Sequence, residues 1–176
     1  KPMLTDQGRK HPVTKDLPDS AGETPSWGRW FRLVDTSTQS GETVMSGPGD
    51  KPLLVLSRQD EGRVAQLLSD QGWLWARGFE GGGPQTELLR RLAHWLMKEP
   101  DLEEEALNGR QQGNDLIVER RTMADSAEPV EVTLPSGKTE TVPLRQISPG
   151  RFQGSLPVTE AGLHRLADGK LMAVAA

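Results

Sequence analysis

Hydrophobic and polar positions alternate with different periods along this chain, and the periods name its elements. PLLVLSR (52–58) is an almost unbroken apolar run, as expected of a strand covered on both faces. DEG (60–62) reads as a tight turn, and RVAQLLSD (63–70) as a second buried strand. ETVMSG (42–47) predicts a short strand running into the GPGDKP turn, and WGRWFRLVD (27–35) a further strand. From Glu87 onward the period changes. At about 100° per residue, Leu88, Leu89, Leu92, Ala93, Trp95 and Leu96 share one arc, while Glu87, Arg90, Arg91, His94 and Lys98 share the other. That is an amphipathic helix, with Pro84 suited to its first turn and Pro100 to its end. DLEEEAL (101–107) can add a short helical turn whose acids lie near its start.

Beyond residue 114 the pattern is of short strands. DLIVERR, PVEVTLP, TETVPLR, GRFQGSLP, GLHRLAD and LMAVAA are separated by turns such as PSGK, SPG and ADGK. Val130, Val132 and Leu134 alternate as one buried face requires. These features predict a β-sandwich. NGRQQGN (108–114) is polar with two glycines and reads as the linker. Residues 1–26 are polar and rich in proline and glycine, and read as an arm lying on another element.

Composition adds three exclusions. The net charge of −4 offers no basic field for nucleic acid. No run approaches the about 20 apolar residues of a membrane-spanning helix. With no cysteine there is no disulfide, thiolate metal site or cysteine nucleophile within the chain. All five tryptophans lie between Trp27 and Trp95, so the two halves differ in composition. The chain opens Lys1-Pro2, without an initiator methionine, and reads as a piece of something longer.

HPVTKDLP, WGRWFR and the long tract from Pro52 to Leu107, with the strands that follow, resemble the C-terminal region of large bacterial membrane proteins. Those proteins carry a class I glutamine amidotransferase-like domain, behind hydrophobic N-terminal segments like those of the Bat aerotolerance proteins. The His-Pro-Val-Thr start is also similar to an element of trehalose-utilisation-type amidotransferase-like domains. The resemblance implies an α/β fold followed by an all-β one. Residues 1–107 would close a partial flavodoxin-like domain whose early parallel strands lie upstream; residues 108–113 would be linker and 114–176 an immunoglobulin-like β-sandwich. A true class I amidotransferase carries a His-x-Glu after a late strand. Here the corresponding stretch is SDQGW, with Asp70 and Gln71, and neither replaces an imidazole base at neutral pH. The resemblance is therefore to the fold and argues against amidotransferase chemistry.

Among candidate sites, Gly81, Gly82 and Gly83 precede a helix, as phosphate cradles do. Pro84 removes one N–H, however, and no Gly-Lys-Ser/Thr follows, so the residues favour a structural turn. In WLWARGFE, an extended backbone would set Trp73, Trp75 and Arg77 on one side, as a local core closing the sheet end, an interdomain contact or an aromatic binding surface. His11 is either a cleft residue, by analogy with related domains, or a structural histidine in the turn set by Pro12. His94 and His164 read as surface residues, and the histidines show no metal spacing. The acids at 101 and 103–105 lack the pattern of a calcium loop.

The expected role is a non-catalytic soluble portion of a membrane-anchored bacterial protein, favoured on the periplasmic side, with no cofactor and no metal. It would contact other domains of its parent chain or envelope proteins, and an exposed sheet edge would permit a homodimer. Two alternatives stay open. One is part of an amidotransferase- or hydrolase-like enzyme whose nucleophile lies upstream; the other is a small-ligand binding module.

Overall fold

The structure is a computed structural model and describes residues 1–175. The chain divides into two compact units, Lys1–Glu103 and Glu104–Ala176. It is β-rich, with three four-stranded antiparallel sheets and few helices. No helix among the described residues is long and apolar enough to cross a membrane.

The first unit holds a sheet of β1 (Met3–Leu4), β2 (Glu42–Ser46), β3 (Pro52–Gln59) and β4 (Gly62–Leu67), in that order. Every pairing in it is antiparallel. Helix α1 (Asp6–Lys10) lies against β2. Thr5 fixes its start: Thr5 Oγ1 accepts from the Gly8 N–H at 2.9 Å and donates to the Thr43 carbonyl at 2.6 Å. Gly8 allows this approach, because a Cβ there would stand 1.9 Å from the Val44 carbonyl oxygen. Helix α3 (Gln85–Leu96) turns Leu88, Leu92 and Trp95 into a core shared with Val44, Leu54 and Leu56. Its apolar stripe is narrower than the sequence predicts, and Leu89 and Leu96 are exposed.

Several expectations need correction. Residues 27–35 form no strand and join no sheet. Gly28 N–H bonds the Gly82 carbonyl and Val34 N–H the Leu68 carbonyl, and two such isolated bonds do not make a ladder. Strand β4 forms as expected but is not buried, since it ends its sheet. Trp73–Ala76 is a short helix, α2, rather than an extended segment. Pro100–Leu102 is a single 3-10 turn.

The second unit has two sheets. One runs β5 (Ala106–Gln112), β6 (Asp115–Arg121), β10 (Arg151–Pro157), β9 (Arg145–Ser148). The other runs β12 (Leu171–Val174), β11 (Gly162–Leu166), β7 (Val130–Thr133), β8 (Thr139–Val142). Leu107, Leu116 and Val118 from the first meet Val130, Val132, Val142, Leu166 and Val174 from the second in one core.

The stretch expected as linker is strand β5, closed to β6 by a two-residue turn at Gly113–Asn114, where Gly113 has φ +60°. Its polar look has a local cause. Of its inward positions, Leu107 is buried, and a Cβ at Gly109 would stand 1.9 Å from the Met172 sulfur. Gln111 exchanges two 2.9 Å hydrogen bonds with the Ala175 backbone.

Candidate functional site

Trp75 organises the region that the sequence singles out. Residues 73 and 75 share a face on a strand, but about 200° separates them on a helix. Trp75 is therefore buried at 3 % exposure, while Trp73 stands 54 % exposed. Trp75 Nε1 donates to the Gly28 carbonyl at 2.8 Å. The Trp27 and Trp30 rings lie 5.2 and 4.6 Å from it, and Trp27 Nε1 donates to the Pro18 carbonyl at 2.8 Å. The Trp27 and Trp75 indoles thus fasten the backbone at Pro18 and Gly28. Arg77 follows α2, exposed, and its N–H bonds the Trp73 carbonyl at 3.1 Å.

The three glycines complete this aromatic cluster. A Cβ at Gly83 would stand 2.3 Å from the Trp75 ring, and one at Gly82 2.8 Å from the Trp75 carbonyl oxygen. Gly81 and Gly82 have φ of +92° and +75°, where glycine is favoured. Their N–H groups are spent locally, on the Gly78 and Phe79 carbonyls at 3.1 and 2.9 Å. A phosphate would find neither of them directed toward it.

Of Asp70 and Gln71, it is Gln71 that holds the segment at residues 31 and 32. Gln71 is buried, and its Oε1 accepts from the Phe31 and Arg32 N–H groups, the latter at 3.0 Å. Ser69 Oγ donates to the Arg32 carbonyl at 2.7 Å and accepts from the Gln71 N–H at 3.3 Å. Asp70 and Arg32 are 3.8 Å apart with both side chains largely in solvent, a pair of small energetic weight.

His11 is 1 % exposed. Its Nδ1 accepts from the Val13 N–H at 3.1 Å, and its ring meets Trp95 edge-on at 5.8 Å. Thr14 Oγ1 donates to the Gly8 carbonyl at 2.6 Å, so the whole HPVT stretch is a bonded turn. His94 lies 2.8 Å from the Glu99 carboxylate on the flank of α3. His164 is buried rather than surface, because β11 alternates and turns His164 inward with Leu166. No group of histidines and acids among the described residues could hold a metal.

Part of the exposed apolar surface is aromatic. Phe31 and Phe79 pack edge-on at 5.3 Å with 63 % and 36 % of each in solvent. Beside them Arg29 grips Glu80, with Nε 3.0 Å from both carboxylate oxygens and its backbone N–H at 3.1 Å. The Arg29 side-chain hydrogen bond holds the Glu80 carboxyl below its ordinary pKa. Two clefts open nearby. One of about 300 Å³ is lined by Thr36, Ser40, Val55 and Gln66, among others. A broader one of about 590 Å³ is lined by Arg32, Val34, Leu67 and Asp70, among others.

The structure thus separates the sequence candidates. Trp75, Gly82, Gly83 and Gln71 serve the interior; Trp73, Arg77 and Asp70 face solvent. The residues missed from the sequence are Gly28, Trp30, Phe31 and Phe79. Their signal is the spacing of WGRW against WLWARGF, which only tertiary pairing makes visible. Comparison with protein-family models, with curated proteins and with solved structures gives no match for this chain.

Proposed function

We propose that this chain is a non-catalytic interaction module, the membrane-external portion of an amidotransferase-like envelope protein. In this reading the first unit closes a flavodoxin-like domain and the second is an immunoglobulin-like sandwich. The observation that carries it is the state of the Asp70–Gln71 position. Gln71 is committed to two backbone N–H groups and the stretch carries no imidazole, which supports a structural rather than a catalytic role. His11 supports the same conclusion, since Nδ1 is bonded within its own turn and the ring is sealed under Trp95. The Phe31–Phe79 pair and Trp73 present apolar surface to other domains of the parent or to envelope proteins.

The test is a glutamine-hydrolysis assay on the parent protein, with and without His11→Ala. No turnover above the enzyme-free rate is expected from either form. Turnover that His11→Ala abolishes would contradict the reading.

A further inference from the structure

The geometry points to a homodimer formed by antiparallel pairing of β4 with β4 of a second copy, centred on Val64. This inference goes beyond the proposed role and rests on no assumption about what the aromatic surface binds. β4 ends its sheet, and its register with β3 runs from Gln59↔Gly62 to Leu54↔Leu67 without a bulge. Leu68 N–H bonds the Leu53 carbonyl, so residue 68 faces β3. By the two-residue period of a strand, residues 62, 64 and 66 face β3 as well, and residues 63, 65 and 67 direct their N–H and C=O groups outward. No described strand pairs with that side.

Native sheets blunt such an edge with proline, exposed lysine or a bulge. β4 has none of these, and its exposed face carries the uncharged Val64 and Gln66. Its one charge, Arg63, is turned under the sheet. Arg63 Nη1 bonds the Trp95 carbonyl at 2.6 Å, its guanidinium pairs with Glu103 and lies over the Trp95 ring, and 3 % of the side chain is exposed.

Charge and strand length then choose the register. Pairing centred on Ala65 would set the second copy's Gly62 opposite Leu68, beyond the end of β4, where the Leu68 carbonyl is already held by the Val34 N–H at 2.9 Å. Pairing centred on Arg63 would set two arginines directly opposite. Pairing centred on Val64 sets Arg63 against Ala65 of the second copy, and Ala65 against its Arg63, each pair exchanging two backbone bonds. Gln66 falls opposite Gly62. The two Val64 side chains meet on the two-fold axis as a non-hydrogen-bonded pair, with Cα atoms about 4.5 Å apart. The partner that fits is a copy of the chain itself, because the edge is complementary to itself in this register and opposes no like charges.

The chain's lack of cysteine makes the test direct. Val64→Cys is compared with Thr141→Cys, which is exposed on β8, an edge strand of the second unit. Under mild oxidation Val64→Cys is expected to form a disulfide-linked dimer at least tenfold faster than Thr141→Cys. By sedimentation the unmodified protein is expected to run as a dimer, and Val64→Lys as a monomer with unchanged circular dichroism. Equal crosslinking rates for the two cysteine variants would overturn the proposal. So would an unmodified protein that stays monomeric at millimolar concentration.

Discussion

At Gly83 the backbone lies so close to the Trp75 indole that a methyl group would stand 2.3 Å from the ring. Gly83→Ala must therefore push the aromatic cluster apart, and overpacking of this kind costs about 1–3 kcal/mol. Gly81 differs: its φ is +92° but a Cβ there meets nothing within 4 Å. Gly81→Ala should cost only the backbone strain, about 1–2 kcal/mol. The tryptophans should divide more sharply. Trp75→Ala removes a buried ring and is expected to cost about 3–5 kcal/mol, whereas the exposed Trp73→Ser should stay within about 0.5 kcal/mol. Urea unfolding followed by tryptophan fluorescence reads all four, because every tryptophan lies in the first unit. A loss for Trp73→Ser equal to that for Trp75→Ala would show that the burial contrast is wrong.

Helix α3 carries a charge device on its solvent side. Glu87 bonds Arg90 at 2.8 and 2.9 Å and Arg91 at 2.7 Å, the i,i+3 and i,i+4 spacings that a helix brings together. The Arg90 and Arg91 hydrogen bonds lower the Glu87 carboxyl to about 2. A carboxyl whose folded pKa is depressed adds stability above its unfolded value of 4.5, and that stability is lost as the pH falls toward 2. Unfolding midpoints measured across this window should fall with acidification less steeply in Glu87→Gln than in the unmodified protein. Identical slopes would remove Glu87 from the account. Elements of this kind were legible in the sequence, because a period of 3.6 or 2 is local information. α3, β2, β3 and the strands β6, β7, β8, β10, β11 and β12 appear where the pattern puts them, whereas β9 does not stand out in the pattern. α2 and β5 were not legible for a physical reason. WLWA has no period long enough to separate helix from strand, and tertiary packing around Trp75 decides it. NGRQQ looks like linker because Gly109 packs against a methionine and the exposed Gln111 binds a backbone, so neither supplies apolar core.

At the scale of the whole chain the tryptophans mark a compositional break, and the chain divides into two compact units, Lys1–Glu103 and Glu104–Ala176. Glu103, the last residue of the first unit, is tied to that unit by Arg58 and Arg63. Burial pushes the Glu103 carboxyl up, yet Arg58 and Arg63 outweigh this and hold it below the usual range. Glu103→Gln is accordingly expected to lower the fluorescence-detected midpoint of the first unit, since Arg63 would keep its buried charge without a carboxylate. The candidate site was legible in part. Tryptophan, glycine and the Asp70–Gln71 pair all drew attention from the sequence, but their roles depend on the irregular segment of residues 28–34, which no local pattern places. The central claim is that Gln71 acts as a clamp on that segment rather than as a reactive group. Amide hydrogen exchange at Phe31 and Arg32 tests it most directly. Both amides should be protected in the unmodified protein and in Asp70→Ala, and should exchange at least tenfold faster in Gln71→Ala. Exchange at Phe31 and Arg32 that is unchanged by Gln71→Ala would contradict the account.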